Sequence, residues 1–186
     1  METNLVKISK LLSFVLRHRP DKIGLSLDKN GWADVQDLID KINSHNGHDY
    51  LTVEILEEVV RKDNKKRYAF NDDKTKIRAS QGHSVDIDLK LKETTPPEFL
   101  YHGTATQFIE NIKKQGLKKM RRNHVHLSLD VATAKIVGER HGKPIILRIK
   151  SKEMNDKGVK FYLSDNKVWL TDDINTKFID FEWQNT

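Results

Sequence analysis

Apolar residues recur along the chain with two different periods, and the change from one to the other divides it. Over Thr3 to Leu16, Leu5, Ile8, Leu12 and Val15 fall at helical spacing. The run ends at Arg17-His18-Arg19-Pro20, because proline disfavours helix in the residue before it. A second helix is predicted from Asp34, a good N-cap, with Val35, Leu38, Ile39 and Ile42 turned inward. A third, Thr52 to Val60, starts at another capping residue. Arg67-Tyr68-Ala69-Phe70 and Lys76-Ile77-Arg78-Ala79 flank the polar turn Asn71-Asp72-Asp73-Lys74 and read as a β-hairpin. Three helices followed by a hairpin suggest a winged-helix lobe.

A polar stretch between Gln81 and Pro97, closing on Thr94-Thr95-Pro96-Pro97, marks a boundary. Beyond it strands dominate. Phe99-Leu100-Tyr101 reads as a buried strand, and Thr106 to Gln115 as a helix capped by Thr106 and ended by Gly116. His124 to Leu129 alternates, Asp130 to Val137 has helical character, and Ile145 to Ile149 is strand. Phe161-Tyr162-Leu163, Val168-Trp169-Leu170 and Phe178 to Trp183 add three more strands. The expected fold is α+β, with lobes over residues 1–92 and 93–186.

Composition narrows the class. In 186 residues, 37% hydrophobic and 32% charged content gives a modest core under a highly charged surface. There are no cysteines, which excludes disulfides, thiolate catalysis and cysteine-held zinc. No apolar run is long enough to span a bilayer and no signal-peptide pattern opens the chain, so the cytoplasm is the simplest address and a monomer the default. A net charge of +6 favours anionic partners such as nucleic acid.

Three segments carry candidate chemistry. Arg17-His18-Arg19 sits at a helix end, where backbone carbonyls attract cations. It reads either as a solvated basic terminus or as a phosphate clamp, since guanidinium forks match phosphate oxygens and imidazole moves protons near neutrality. On the strand His124-Val125-His126-Leu127-Ser128-Leu129, His124, His126 and Ser128 share one face while Val125, Leu127 and Leu129 share the core face. The two histidines could hold a metal with His102, but no further ligand completes a recognisable set, and no metal is expected. Tyr101-His102-Gly103-Thr104 is a strand end where glycine lets a ligand approach the backbone, or an ordinary turn. No P-loop or glycine-rich dinucleotide fingerprint is present. Lys113-Lys114 and Lys118-Lys119 read as a solvated face, His45 and His48 as surface residues, and Trp32, Trp169 and Trp183 mainly as core.

Taken in order, the segments Leu11-Leu12-Ser13-Phe14-Val15-Leu16-Arg17-His18-Arg19-Pro20, Gly31-Trp32-Ala33, Lys66-Arg67-Tyr68 and Ile77-Arg78-Ala79-Ser80-Gln81-Gly82-His83-Ser84 form a pattern. It continues through Leu100-Tyr101-His102-Gly103-Thr104, Arg122-Asn123-His124-Val125-His126-Leu127-Ser128 and Gly138-Glu139-Arg140-His141-Gly142-Lys143-Pro144. Each is weak alone. Together they resemble the RNA 2′-phosphotransferases, the tRNA-splicing enzymes of the Tpt1/KptA type, over nearly the whole chain. The resemblance implies an N-terminal winged-helix lobe, a C-terminal ADP-ribosyltransferase-like lobe and an active site in the cleft between them. It implies a catalytic quartet of Arg17, His18, Arg67 and Arg122, the last chosen over Arg121 because it lies two residues before His124. It also implies an NAD⁺ site of His102, Gly103, Thr104, His126 and Ser128, with Thr133 and Arg140 as further candidates.

The reaction so implied is attack of an RNA 2′-phosphate on C1″ of the nicotinamide ribose, expelling nicotinamide. The ribose 2″-hydroxyl of the ADP-ribosylated RNA then attacks phosphorus, giving 2′-hydroxyl RNA and ADP-ribose 1″,2″-cyclic phosphate. Many ADP-ribosyltransferases carry a late glutamate; the corresponding strand here, Lys167-Val168-Trp169-Leu170-Thr171, has no carboxylate. Its absence is consistent with a phosphate nucleophile, whose second pKa of about 6 leaves it mostly dianionic without a general base. Two rival readings are an ADP-ribosyltransferase that stops after the first step and a non-enzymatic winged-helix nucleic-acid binder. The first predicts a stable adduct; the second leaves Tyr101 to Thr104 and Arg122 to Ser128 without a role.

Overall fold

The computed structural model describes residues 2–46 and 51–183. The fold is α+β and divides into two compact units, Met1–Lys90 and Leu91–Thr186, each with its own apolar core.

In the first unit, α1 (Glu2–Arg17) buries Ile8, Leu12, Val15 and Leu16 and gives way at Pro20 to a short 3-10 turn, Pro20–Ile23. Gly24 closes that turn at φ 66°, a left-handed conformation that favours glycine. Strand β1 (Ala33–Asp34) leads into α2 (Val35–Asn46), whose first turn is capped by the Asp34 carboxylate accepting the Asp37 amide at 2.9 Å. All four residues expected to face inward, Val35, Leu38, Ile39 and Ile42, are buried. Thr52 caps α3 (Val53–Lys62). The hairpin forms as β2 (Tyr68–Phe70) and β3 (Lys76–Ala79), with β1 added to give the antiparallel order β1-β3-β2. Segment 81–90 packs back on this unit, with the Asp88 amide donating to the Lys29 carbonyl at 2.9 Å.

The second unit holds two three-stranded antiparallel sheets. One has the order β4 (Leu100–Ala105), β6 (Pro144–Ile149), β9 (Ile179–Asp180); the other β5 (Val125–Leu127), β8 (Trp169–Thr171), β7 (Phe161–Leu163). Reciprocal backbone bonds between Tyr101 and Ser128 join them. Helix α4 (Ile109–Gln115) ends at Gly116, α5 (Val131–Gly138) is capped by Asp130, and α6 (Ser151–Asp156) follows β6.

Several details depart from the sequence expectations. Thr106 caps nothing: the chain enters α4 through a 3-10 turn, Thr106–Phe108, without a side-chain cap bond. Leu129 is 59% exposed rather than core, because Ser128 is drawn into the bridge with Tyr101 and regular pairing of β5 stops at Leu127. Of the tryptophans only Trp169 is core; Trp32 is half-buried beneath the Arg78 guanidinium, and Trp183 half-buried beside Tyr101 and Arg148. Phe178 belongs to a 3-10 turn, so the last strand is only two residues long. The short β1 and α6 had no clear periodic signal. His45 is exposed, whereas His48 lies outside the described residues. Lys113, Lys118 and Lys119 pair with Glu110, Asp173 and Asp172 on the surface. Among the described residues no helix is long and apolar enough to cross a membrane.

Candidate functional site

The first unit gathers a cationic cluster where α1 ends. Helix geometry sets Arg17 in the last turn of α1, and the Arg17 guanidinium donates to the Arg67 carbonyl at 3.4 Å. The Arg67 carbonyl also accepts the Ser80 amide at 2.8 Å, which ties the start of the hairpin to its end. Arg67 itself is held by Asp63, a carboxylate only 4% exposed just past α3. Asp63 accepts both the Arg67 backbone amide, at 2.5 Å, and the Arg67 guanidinium. Tyr68, the next residue, turns inward and bonds Ser13 on α1 at 2.6 Å. His18 shares a 3.0 Å hydrogen bond between its Nδ1 and the Ser84 hydroxyl, while the Ser84 amide donates to the Arg17 carbonyl. Arg19, by contrast, is exposed and forks onto Asp21.

His83 sits behind this cluster. It is 2% exposed, and neither ring nitrogen has a hydrogen-bond partner in the structure. Burial, reinforced by the neighbouring Arg17, His18 and Arg78 side chains, pulls its pKa down from 6.5 to about 3. His83 is therefore neutral at physiological pH and adds no further repulsion to a site rich in guanidinium.

The second unit gathers its own cluster around β4 and β5. The His102 Nδ1–H donates to the His126 carbonyl at 3.0 Å, which fixes the ring orientation. Burial lowers the His102 pKa; the bond to His126 works against that shift, and Arg122 and His141 add to it. Arg122 donates to His126 Nδ1 at 3.5 Å, and its own pKa is lowered by burial and then by Arg140. His102, Arg122, His126 and Arg140 therefore form one neighbourhood, and Arg122 rather than Arg121 makes the contact with His126. His124 lies apart, its ring edge-on to Tyr162 at 5.7 Å.

The remaining candidates have structural duties. Thr104 is buried on β4, and Ser128 holds the bridge to Tyr101. Thr133 is bound through both its amide and hydroxyl to the Asp130 cap, at 2.7 and 2.9 Å. Gly103 is a packing residue: a Cβ there would lie 1.7 Å from the Ala134 carbonyl oxygen of α5. Among the described residues no group of three metal-ligating side chains could hold a metal.

Sequence reasoning assigned no role to Asp63, Tyr68, His83 or Ser84. The Asp63-to-Arg67 spacing was a readable signal, since four residues separate an acid from a base. His83 had none, because a buried histidine looks like any other in sequence.

The model for the RNA 2′-phosphotransferase, Tpt1/KptA family matches residues 3–173. A Fusobacterium nucleatum protein named "Probable RNA 2′-phosphotransferase" is 57% identical over 179 residues, 96% of this chain and 99% of its own. Proteins of the same name from Flavobacterium johnsoniae and Rhodopirellula baltica are 56% and 49% identical. The alignments cover 98% and 97% of this chain, and 100% and 97% of those relatives. With a family model spanning almost the whole sequence and relatives this similar at matching length, the chain belongs to the RNA 2′-phosphotransferase, Tpt1/KptA family.

Proposed function

We propose that this chain removes a 2′-phosphate from RNA and transfers it to NAD⁺, yielding 2′-hydroxyl RNA, nicotinamide and ADP-ribose 1″,2″-cyclic phosphate. The observation that carries the reading is the cluster of Arg17, His18 and Arg67 at the end of α1, two guanidiniums and an imidazole held by Asp63 and Ser84. Such a set matches the oxygens of a phosphate monoester. The three helices and hairpin of the first unit support a winged-helix RNA lobe, and the strand-rich second unit supports an ADP-ribosyltransferase-like one.

NAD⁺ is the co-substrate. The donor set of the second unit fits it chemically: Arg122 and Arg140 supply charge for a pyrophosphate, and His102 a neutral, oriented imidazole. His126 and the Ser128 side chain complete the candidate lining, on a frame to which Gly103, Thr104 and Thr133 contribute packing and cap bonds. NAD⁺ supplies an electrophilic ribose carbon with a good leaving group, and the dianionic 2′-phosphate attacks it without a general base. In that step Arg17 and Arg67 orient the phosphate. In the second step the 2″-hydroxyl attacks phosphorus and the RNA 2′-oxygen leaves, so charge builds on the phosphoryl oxygens. Pre-positioned guanidiniums then stabilise most, and His18 serves the departing oxygen.

The test is incubation with NAD⁺ and a 2′-phosphorylated oligonucleotide, followed by identification of every product. Equal yields of nicotinamide, 2′-hydroxyl RNA and the cyclic phosphate are expected. A stable ADP-ribosyl adduct, or RNA binding without NAD⁺ consumption, would overturn the reading.

A further inference from the structure

The exposed side of α1 carries a pattern that the transfer reaction does not use. Val6, Lys10 and Phe14 are exposed and follow one another at intervals of four, which places them in one row on the helix. The next member is His18, whose amide still donates to the Phe14 carbonyl at 3.0 Å. Val6 is 55% and Phe14 42% exposed, although Ile8, Leu12 and Val15 already supply the stripe that the core needs. Apolar and basic side chains thus alternate along a line leading to His18.

Beside the row lies a groove of about 840 Å³, lined on α1 by Val6, Lys10 and Ser13 and on α3 by Val59, Arg61 and Lys62, and reaching Arg67. That volume is within the range of about 300–1,000 Å³ seen for small-ligand clefts. Its acidic lining residue, Asp63, is committed to Arg67, and Lys62 is paired with Glu58. Among the described residues Lys10 and Arg61 form no ion pair. The groove therefore suits a ligand that is anionic at intervals and has flat apolar parts.

We infer that this row and groove seat the single-stranded RNA flanking the 2′-phosphate, with a base on Phe14 and a backbone phosphate between Lys10 and Arg61. The inference rests on the proposed function, and its geometric ground is continuity: row and groove end at His18 and Arg67, the residues assigned to the 2′-phosphate itself. Base stacking on an exposed aromatic and phosphate contacts to lysine and arginine tolerate any sequence.

The test compares a 2′-phosphorylated dinucleotide with an RNA of about ten nucleotides carrying the same phosphate internally, a length within the usual span of single-strand sites. In the wild type, kcat/KM is expected to favour the longer RNA. Lys10→Glu and Arg61→Glu should each lower that preference by about tenfold, through the KM for RNA, and flatten its salt dependence by about 0.7 per lost contact. Phe14→Ala should lower it by about fivefold or more. Lys152→Glu, at an exposed position of α6, should leave the preference in place. Equal kcat/KM for both lengths, or a preference indifferent to all three variants, would overturn the inference and leave the groove to another occupant, such as a protein. If the wild type consumes no NAD⁺ with either RNA, the proposed function fails first. Binding of the longer RNA without its 2′-phosphate, followed by fluorescence anisotropy, then decides the groove alone: weakening in Lys10→Glu supports it and unchanged binding sinks it.

Discussion

Asp63 holds Arg67 at two points, accepting its backbone amide at 2.5 Å and its guanidinium from a carboxylate that is only 4% exposed. One carboxylate thus fixes both where the hairpin begins and where its first arginine points. Because the bonds are charge-assisted and the acid is buried, removing it leaves Arg67 free to rotate rather than merely weakened. On the proposed function, Asp63 acts through Arg67 as a positioning residue. Asp63→Ala is expected to lower kcat by about tenfold or more, with about 1–3 kcal/mol of stability lost from the unmade bonds. The decisive measurement is a double-mutant cycle. If Asp63 works through Arg67, the Asp63→Ala, Arg67→Ala double variant will be no slower than Arg67→Ala alone. Additive losses would show that Asp63 serves only the fold.

On the proposed function, Arg17 and His18 should matter more to the second chemical step than to the first. In the first, a guanidinium orients the phosphate but also draws charge from the nucleophile, so the two effects partly cancel. In the second, negative charge grows on the phosphoryl oxygens and only the favourable effect remains. Arg17→Ala and His18→Ala should therefore accumulate ADP-ribosylated RNA. A gel-resolved time course with a 2′-phosphorylated oligonucleotide reads this directly. Equal slowing of both steps, with no intermediate, would refute the division.

Much of the α+β frame was legible because helices and hairpin announce themselves by period and by cap. Asp34, Thr52 and Asp130 each cap the helix that follows, and Ile8, Leu12, Leu38 and Ile42 are buried as their spacing requires. What stayed hidden depends on contacts distant in sequence. The exposure of Leu129 follows from Ser128 pairing with Tyr101, twenty-seven positions earlier, so alternation alone could not foresee it. The burial of His83 beside Arg17 and Arg78 needs segment 81–90 folded back on its unit. Within each unit the candidate clusters were partly readable: Arg17 with Arg67, and His102 with Arg122 and His126, come together. The spacing of Asp63 and Arg67 was open to view in the sequence, whereas Ser84, sixty-six positions from His18, became visible only once the 81–90 segment was in place.

Gly103 stood as a residue that lets a ligand approach, and its surroundings assign it a packing task that can be measured separately. A methyl group there would lie 1.7 Å from the Ala134 carbonyl oxygen and 2.9 Å from the Gly138 nitrogen, both backbone atoms of α5. Backbone cannot swing aside as a side-chain tip can, so α5 must lift from β4. Gly103→Ala is expected to destabilise the second unit by about 3 kcal/mol or more, at the upper end of overpacking effects. Thermal unfolding would register this as a large fall in Tm without any ligand present. A variant of wild-type Tm that loses only NAD⁺ affinity would mean that the glycine serves the ligand instead.

His83 should leave a signature in the pH dependence of stability. Its folded pKa of about 3 lies below the ordinary value of 6.5, because burial and then Arg17, His18 and Arg78 disfavour its charged form. Between those two values the unfolded chain binds a proton that the folded chain does not. Stability from this group is therefore complete above pH 6.5 and is lost as pH falls toward 3. From pH 7.5 to 5 the loss is about 2 kcal/mol. His83→Gln removes the titration while keeping a polar side chain of similar reach, so its stability should fall by about 2 kcal/mol less over the same interval, whatever its starting value. Urea unfolding at several pH values gives both curves, and the carboxylates common to both proteins cancel in the difference. Parallel curves would mean that His83 already carries its proton in the folded protein, and with it a charge that Arg17 and His18 would have to tolerate.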